Sequence, residues 1–272
     1  MNSSLIILDT ETAALFGAPH LLELGAVRVE GGEIQDQFES LVCPQVEIEP
    51  GATEVHGIRQ EDVRQAPLCG EVLESFRDWA GDAWFAAHNA NFDASVLGFE
   101  YLRHGMQPPG GVFIDSLTLA RKAIPESIDH KLETLCQHLE LEEGPHHRAL
   151  SDAVYCWMVI AECMERIEAE TGAEPTWAEL AGRCGAPLTI EAAEPRAPRL
   201  ARRLRPLENA LRDDDEITLL YGEGKESPAR LGVRPRFLYQ RKQVGYLEAE
   251  CLRSATLKTY RLDRVQKVLP IG

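Results

Sequence analysis

The chain has 272 residues, 44% of them apolar and 26% charged, enough for one large core or two smaller domains. No apolar run approaches the roughly 18 residues of a membrane helix, and Leu5 to Leu8 is too short and too quickly followed by Asp9 for a signal peptide, so a cytoplasmic protein is expected. The net charge of −16 is unevenly spread: residues 195–272 carry 17 Lys and Arg against 10 Asp and Glu, a balance of +7, which leaves −23 on residues 1–194. An acidic half of that kind binds long polyanions poorly apart from what cations and local contacts supply, whereas the basic end can grip them.

In chain order, Leu5-Ile6-Ile7-Leu8 reads as a short buried strand running into Asp9 and Glu11. Val27 to Val29, then Gly31-Gly32, then the alternation Ile34, Asp36, Phe38, Ser40, Val42 predict a hairpin. A helix follows over about 61–79, then an apolar run, Trp84 to Ala87, and a helix over about 91–104 with Asp93 in its first turn. Helices are expected over about 131–140, where Leu132, Leu135, Cys136 and Leu139 keep helical spacing and read as core, and over about 150–171, with Asp152 near the start. A short helix from Thr176 to Arg183 precedes Pro187, Pro195, Pro198 and Pro206, which punctuate a stretch rich in arginine (Arg196, Arg199, Arg202, Arg203, Arg205). Residues 176–204 are therefore expected to be a linker, equally readable as a phosphate-contacting arm or as a solvated segment. Beyond it, a helical turn at Leu207 to Leu211 and short strands at Ile217 to Tyr221, Arg230 to Arg236, Phe237 to Tyr239, Gly245 to Cys251 and Thr259 to Leu262 predict a small all-β module. The seven cysteines form no CxxC pair and read as reduced thiols rather than a zinc site or disulfide framework.

Three acidic motifs carry the chemistry: Asp9-Thr10-Glu11-Thr12, His88-Asn89-Ala90-Asn91-Phe92-Asp93 and His147-Arg148-Ala149-Leu150-Ser151-Asp152. On a strand Asp9 and Glu11 project to one face, so a single cation can touch both. Hard divalent cations prefer such carboxylates, and they hold an anionic phosphate and activate water for phosphodiester hydrolysis. Each motif alone has a plain reading as a strand end, a helix cap or a surface helix start. All three in this order resemble the DEDDh family, the DnaQ-like 3′ to 5′ exonucleases, over roughly residues 1–170.

That resemblance implies an α/β, ribonuclease H-like domain over 1–175, a mixed sheet with flanking helices that removes nucleotides from a 3′ end. It implies two Mg2+ ions, with Mn2+ also accepted by oxygen ligands. They would be held by Asp9, Glu11, Asp93 and Asp152, with Asp9 bridging and Asp93 completing the site directly or through water. His147, in the H-x-x-x-x-D register, would be the general base. Thr10, Thr12, His56 and Asn89 would lie against the substrate, although Glu54-Val55-His56-Gly57-Ile58 reads equally as a polar turn before a helix. Many relatives follow the first motif with Thr-Gly, whereas here Thr12 is followed by Ala13-Ala14-Leu15-Phe16-Gly17, so sugar and base selection do not carry over.

The C-terminal segment, residues 205–272, resembles the WYL domain, an SH3-like barrel. The likeness rests on Tyr221, Gly232-Val233-Arg234-Pro235, Gly245-Tyr246-Leu247, Cys251 and Tyr260-Arg261-Leu262-Asp263-Arg264-Val265. The tryptophan of the eponymous triplet is replaced by Gly245. Arg230, Arg234, Tyr246, Arg261 and Arg264 would suit a ligand with phosphates and bases. They read alternatively as a core tyrosine and a basic surface among acids. The function expected is cleavage of single-stranded nucleic acid, DNA favoured over RNA, to nucleoside 5′-monophosphates, with a C-terminal nucleic-acid or nucleotide-binding module. An RNA-trimming enzyme and a regulatory sensor with secondary nuclease activity are the alternatives. No membrane partner is expected, and a homodimer is compatible with the family.

Overall fold

The computed structural model describes residues 4–15, 17–141, 148–222 and 228–271. The chain divides into two compact units, Met1–Glu194 and Pro195–Gly272. In the first, β1 (Leu5–Thr12), β2 (Leu21–Glu30) and β3 (Glu33–Leu41) form an antiparallel meander, with Gly31 and Gly32 both at positive φ in the β2–β3 turn. Next come α1 (Pro50–His56), α2 (Gln60–Val63), α3 (Cys69–Ala80), β4 (Trp84–Ala87), α4 (Asn91–Arg103), β5 (Phe113–Asp115), α5 (Ser116–Ala123), α6 (Leu132–His138), α7 (Ala149–Thr171) and α8 (Trp177–Cys184). Because β4 pairs parallel with β1 and β5 parallel with β4, the sheet is mixed, in the order β3-β2-β1-β4-β5.

Alternation along β1 divides the core. Leu5 and Ile7 pack among residues of α5, α6, α7 and α8, while Ile6 and Leu8 pack among residues of α3 and α4 on the opposite face, all four fully buried. Burial on both faces explains why the start of β1 is continuously apolar. Leu135 and Cys136 are buried core and Leu132 and Leu139 pack against it, as their helical spacing required.

The helix expected over 61–79 is two, α2 and α3. Pro67 disfavours helical geometry at Ala66, and Leu68 is extended at φ −72°, ψ 152° as the cap residue of α3. Residues 176–204 do not stand apart as a linker: Trp177 and Leu180 lie in the first unit's core, Ile190 packs on its other face, and Leu204 is core of the second unit.

The second unit contains α9 (Pro206–Asp213), β6 (Ile217–Tyr221), β7 (Ala229–Arg241), β8 (Val244–Cys251), β9 (Thr256–Arg261) and β10 (Val265–Pro270). They make an all-antiparallel sheet in the order β10-β6-β7-β8-β9. β7 runs through the two segments read separately from the sequence, with a register shift between Pro235 and Phe237 where proline offers no ladder hydrogen bond. Among the described residues no helix is long and apolar enough to cross a membrane.

Candidate active site

β1, β4 and β5 run in one direction, so their C-terminal ends share one edge of the sheet, and the acidic residues collect there. Asp9 and Glu11 continue the face of β1 begun by Leu5 and Ile7, the face that α7 covers. Asp152 sits in the first turn of α7 and is buried. One carboxylate oxygen from each of Asp9, Glu11 and Asp152 lies within 4.8 Å of the others.

Two residues absent from the sequence reading bring α7 this close. Gly25 faces Asp9 across the β1–β2 pair, and a Cβ there would stand 2.1 Å from the Leu150 nitrogen and 2.3 Å from the Ala149 carbonyl carbon. Only hydrogen fits between strand and helix. Glu23, opposite Glu11 and fully buried, accepts from Arg148 Nη2 at 2.6 Å, from Arg148 Nε at 3.0 Å and from the Ala149 N–H at 3.0 Å. This charge-assisted clamp satisfies an N–H at the start of α7 and fixes where Asp152 falls. The signal was in the sequence: an acid inside the apolar run Leu21-Leu22-Glu23-Leu24, followed by glycine.

Asp93, buried in the first turn of α4, accepts from the Thr10 hydroxyl at 2.8 Å. Thr10, expected against the substrate, thus has its hydroxyl engaged by an acid of the second motif. The Thr12 hydroxyl donates to the Ala14 carbonyl at 3.0 Å. His56 is buried; its Nδ1 accepts from the Ile58 N–H at 3.0 Å, which leaves the proton on Nε2, 3.3 Å from the Thr12 carbonyl. Asn89 is left-handed at φ 66°, a conformation asparagine tolerates, and its carbonyl accepts from the Phe92 N–H at 2.8 Å. His147 lies outside the described residues.

The turn between β4 and α4 is bolted to the next strand and helix. Asp115 accepts from the Ala90 N–H at 3.1 Å and from the Thr118 hydroxyl at 2.5 Å. His88 Nδ1 is 2.8 Å from the Ser116 hydroxyl and its Nε2 2.8 Å from the His130 carbonyl. A carbonyl only accepts, so Nε2 carries the proton, and burial lowers the pKa of this ring. Asp115 and His88 thus position the second acidic motif, and Asp115, which ends a three-residue strand, had no periodic signal to mark it.

The acids are held against their own charge. Asp9 is raised well above its ordinary pKa, first by burial, then by the charges of Asp93, Glu11 and Asp152. Burial and the Asp152 charge push Glu11 up to about 8, and burial pushes Asp93 up to about 7 against the Thr10 hydrogen bond. Oxygen-only ligands, gathered within 4.8 Å and repelling one another, fit a hard divalent cation that would neutralise them. A second group, Cys69, Glu100 and His104, is as compact, but Glu100 already pairs with Arg103 at 2.7 Å and accepts from the Leu21 N–H at 2.9 Å.

In the second unit the expected ligand residues lie on several elements. Tyr246 lies opposite Tyr239 on β7 and Arg261 on β9, with the tyrosine rings stacked at 5.2 Å. Arg230 and Arg234 lie farther along β7, and Arg264 lies in the 3-10 turn Leu262–Arg264. Arg234 pairs with Glu216 at 2.7 Å and Arg261 with Asp263 at 2.7 Å. A Cβ on Gly245 would meet the Leu262 side chain at 2.9 Å and that of Pro198 at 3.0 Å, so a larger residue there would require these two side chains to shift.

A mixed sheet whose parallel strands deliver carboxylates to one edge, under a helix that adds another, is a nuclease scaffold of the ribonuclease H-like kind. The exonuclease family model matches residues 6–159, more than half the chain, and the chain belongs to that family. The WYL domain model matches residues 202–270. Among curated proteins, PolC-type DNA polymerase III of Oceanobacillus iheyensis is 34% identical over 167 residues, which is 61% of this chain and 12% of the relative. The Bacillus subtilis protein of the same description is 36% identical over 149 residues, 54% of this chain and 10% of the relative. The chain thus spans only about a tenth of the length of these relatives. Among solved structures, Exonuclease X in complex with 5′ overhanging duplex DNA aligns with a TM-score of 0.51 at 29% identity, covering 66% of this chain and 99% of that one. The nuclease domain of 3′hExo, described as a DEDDh family member, aligns with a TM-score of 0.54 at 17% identity over 64% and 95% of the two chains and shows the fold alone.

Proposed function

We propose that the protein is a metal-dependent 3′ to 5′ exonuclease that hydrolyses single-stranded nucleic acid, DNA favoured, to nucleoside 5′-monophosphates. The observation that carries this is the convergence of Asp9, Glu11 and Asp152 within 4.8 Å on a scaffold of the exonuclease family. DNA is favoured because the relatives are DNA polymerases and the 29% identical Exonuclease X was solved with DNA.

Asp9, Glu11 and Asp152 would hold one Mg2+ and Asp9 would share a second, with Asp93 completing the site; Mn2+ suits the same oxygens. Bound ions would polarise the phosphate and supply a nucleophile at neutral pH. Thr10 keeps Asp93 turned inward, and the Glu23–Arg148 clamp keeps Asp152 in register with Asp9. His147 stands in sequence two residues before α7 and would accept the proton of the attacking water. Thr12 and His56 would shape the wall beside the terminal nucleotide, and Asn89 the turn opposite.

The second unit is read as a small SH3-like barrel that tethers nucleic acid or a nucleotide. Its basic balance and the Tyr239–Tyr246 stack beside Arg261 support this. Matched DNA and RNA strands labelled at the 5′ end and incubated with Mg2+ test the whole reading. DNA should shorten from its 3′ end faster than RNA, and faster trimming of RNA would overturn the substrate preference.

A further inference from the structure

Beside the acidic pocket lies an open cleft of about 500 Å3, within the range of ligand-binding pockets. Its walls are the turn carrying His88 and Asn89, the outer face of α5 and the segment that leads into α6. The same turn carries the chain into α4 and Asp93, so one short segment links the cleft to the acidic site.

The charge at this cleft runs against its surroundings. Residues 1–194 hold only 11 Lys and Arg against 34 Asp and Glu. In that half, Arg59, Arg77, Arg103, Arg148 and Arg166 each pair with an acid, whereas Lys122 donates to the Arg183 carbonyl on another face. Arg121 on α5 and Lys131 before α6 both line the cleft and are exposed, and neither has an ion-pair partner among the described residues. Asp129, an acid among the lining residues, accepts from the Lys131 backbone N–H at 3.0 Å. That hydrogen bond chiefly lowers its pKa, and the nearby Lys131 ammonium lowers it further. Leu117 and Leu132 supply apolar wall between the cations. The cleft is held open by hydrogen bonds of its own: His88 to the His130 carbonyl at 2.8 Å and the His130 ring to the Ile124 carbonyl at 3.1 Å.

We propose that this cleft is a strand-holding subsite in which Arg121 and Lys131 bind a backbone phosphate of the nucleic acid, upstream of the nucleotide being removed, while Leu117 and Leu132 pack against its sugar. What sets Arg121 and Lys131 apart is that both line one cleft, where two cations can meet one anion; guanidinium and ammonium groups are the usual phosphate partners. The inference rests on the exonuclease reading for its substrate class.

The test is binding of a fluorescent single-stranded 12-mer to the full-length protein by anisotropy in Ca2+, across a salt series, for the wild type, Arg121→Gln, Lys131→Gln and Arg183→Gln. Arg183 lies on α8, away from the cleft lining, and its substitution controls for loss of one positive charge. Each cleft variant should bind about fivefold to tenfold more weakly. Each should lose about 0.7 of the log–log salt slope, as removal of one phosphate contact to a single strand requires. Replacing the contacted phosphate with a neutral methylphosphonate should weaken the wild type by the same factor and weaken the cleft variants no further. Cleft variants that match Arg183→Gln in affinity and slope would overturn the subsite. Hydrolysis of a nitrophenyl ester of thymidine 5′-monophosphate by the wild type, measured in parallel with Mg2+, reports on the exonuclease reading alone, so failure of either idea is seen separately.

Discussion

Burial and mutual repulsion raise Asp9, Glu11 and Asp93 above the usual carboxylate range, so the metal-free folded chain holds protons there that the unfolded chain has already released. Between the ordinary carboxylate pKa near 4 and the folded values of about 7 and about 8, the native state binds more protons than the unfolded one. Stability of the metal-free protein should therefore fall as pH rises through that window. A divalent ion displaces those protons, so Mg2+ should raise the melting temperature more at pH 8 than at pH 6, which thermal melts at both pH values would check. An equal Mg2+ shift at the two pH values would count against these acids as ligands. His147→Ala should cost roughly 10²- to 10⁴-fold in turnover while leaving Mn2+ affinity nearly intact, measured by kinetics beside a metal titration. The acids themselves were legible because each motif sits in a fixed local context. Glu23 left only one mark, an acid inside an apolar run, and its role could not be read from it because that role depends on Arg148, 125 residues away.

At the level of elements, the site depends on how closely the start of α7 approaches β2. Gly25→Ala would force a methyl group into the helix backbone at 2.1 Å, and the helix, held by Glu23 at its start and packed in the core, cannot yield cheaply. That variant should lose about 1–3 kcal/mol of stability and most of its activity together, read by denaturant melts and by turnover. Glu23→Gln keeps the shape but loses charge assistance to Arg148 and the Ala149 N–H, at a cost of about 1–2 kcal/mol. Its activity should fall by more than its stability explains, because Asp152 is placed by that clamp. Long apolar patterns such as α7 were readable, as was the glycine turn between β2 and β3. The three-residue β5 and the eight-residue α5 were not, since pieces so short owe their form to packing on β4 and α7.

Across the whole chain, charge separates into an acidic unit that gathers carboxylates and a basic unit, and the composition shift near Pro195 marks where one ends. Removal of residues 195–272 should weaken nucleic-acid binding and flatten its salt dependence while sparing hydrolysis of a small phosphodiester; unchanged affinity in the truncated protein would remove the tethering role. The helix at 177–184 looked like the start of a linker because sequence shows where prolines and arginines cluster, but not that Trp177 and Leu180 fill the first core. All of this turns on whether the gathered carboxylates hold divalent ions. Titration of Mn2+ into the wild type and into Asp9→Asn, followed by electron paramagnetic resonance, counts those ions directly. Two ions should bind the wild type, and the variant, without its shared ligand, should lose at least one of them. A wild type that leaves all the Mn2+ free, or a variant that binds as many ions as tightly, would contradict the metal site and with it the exonuclease mechanism.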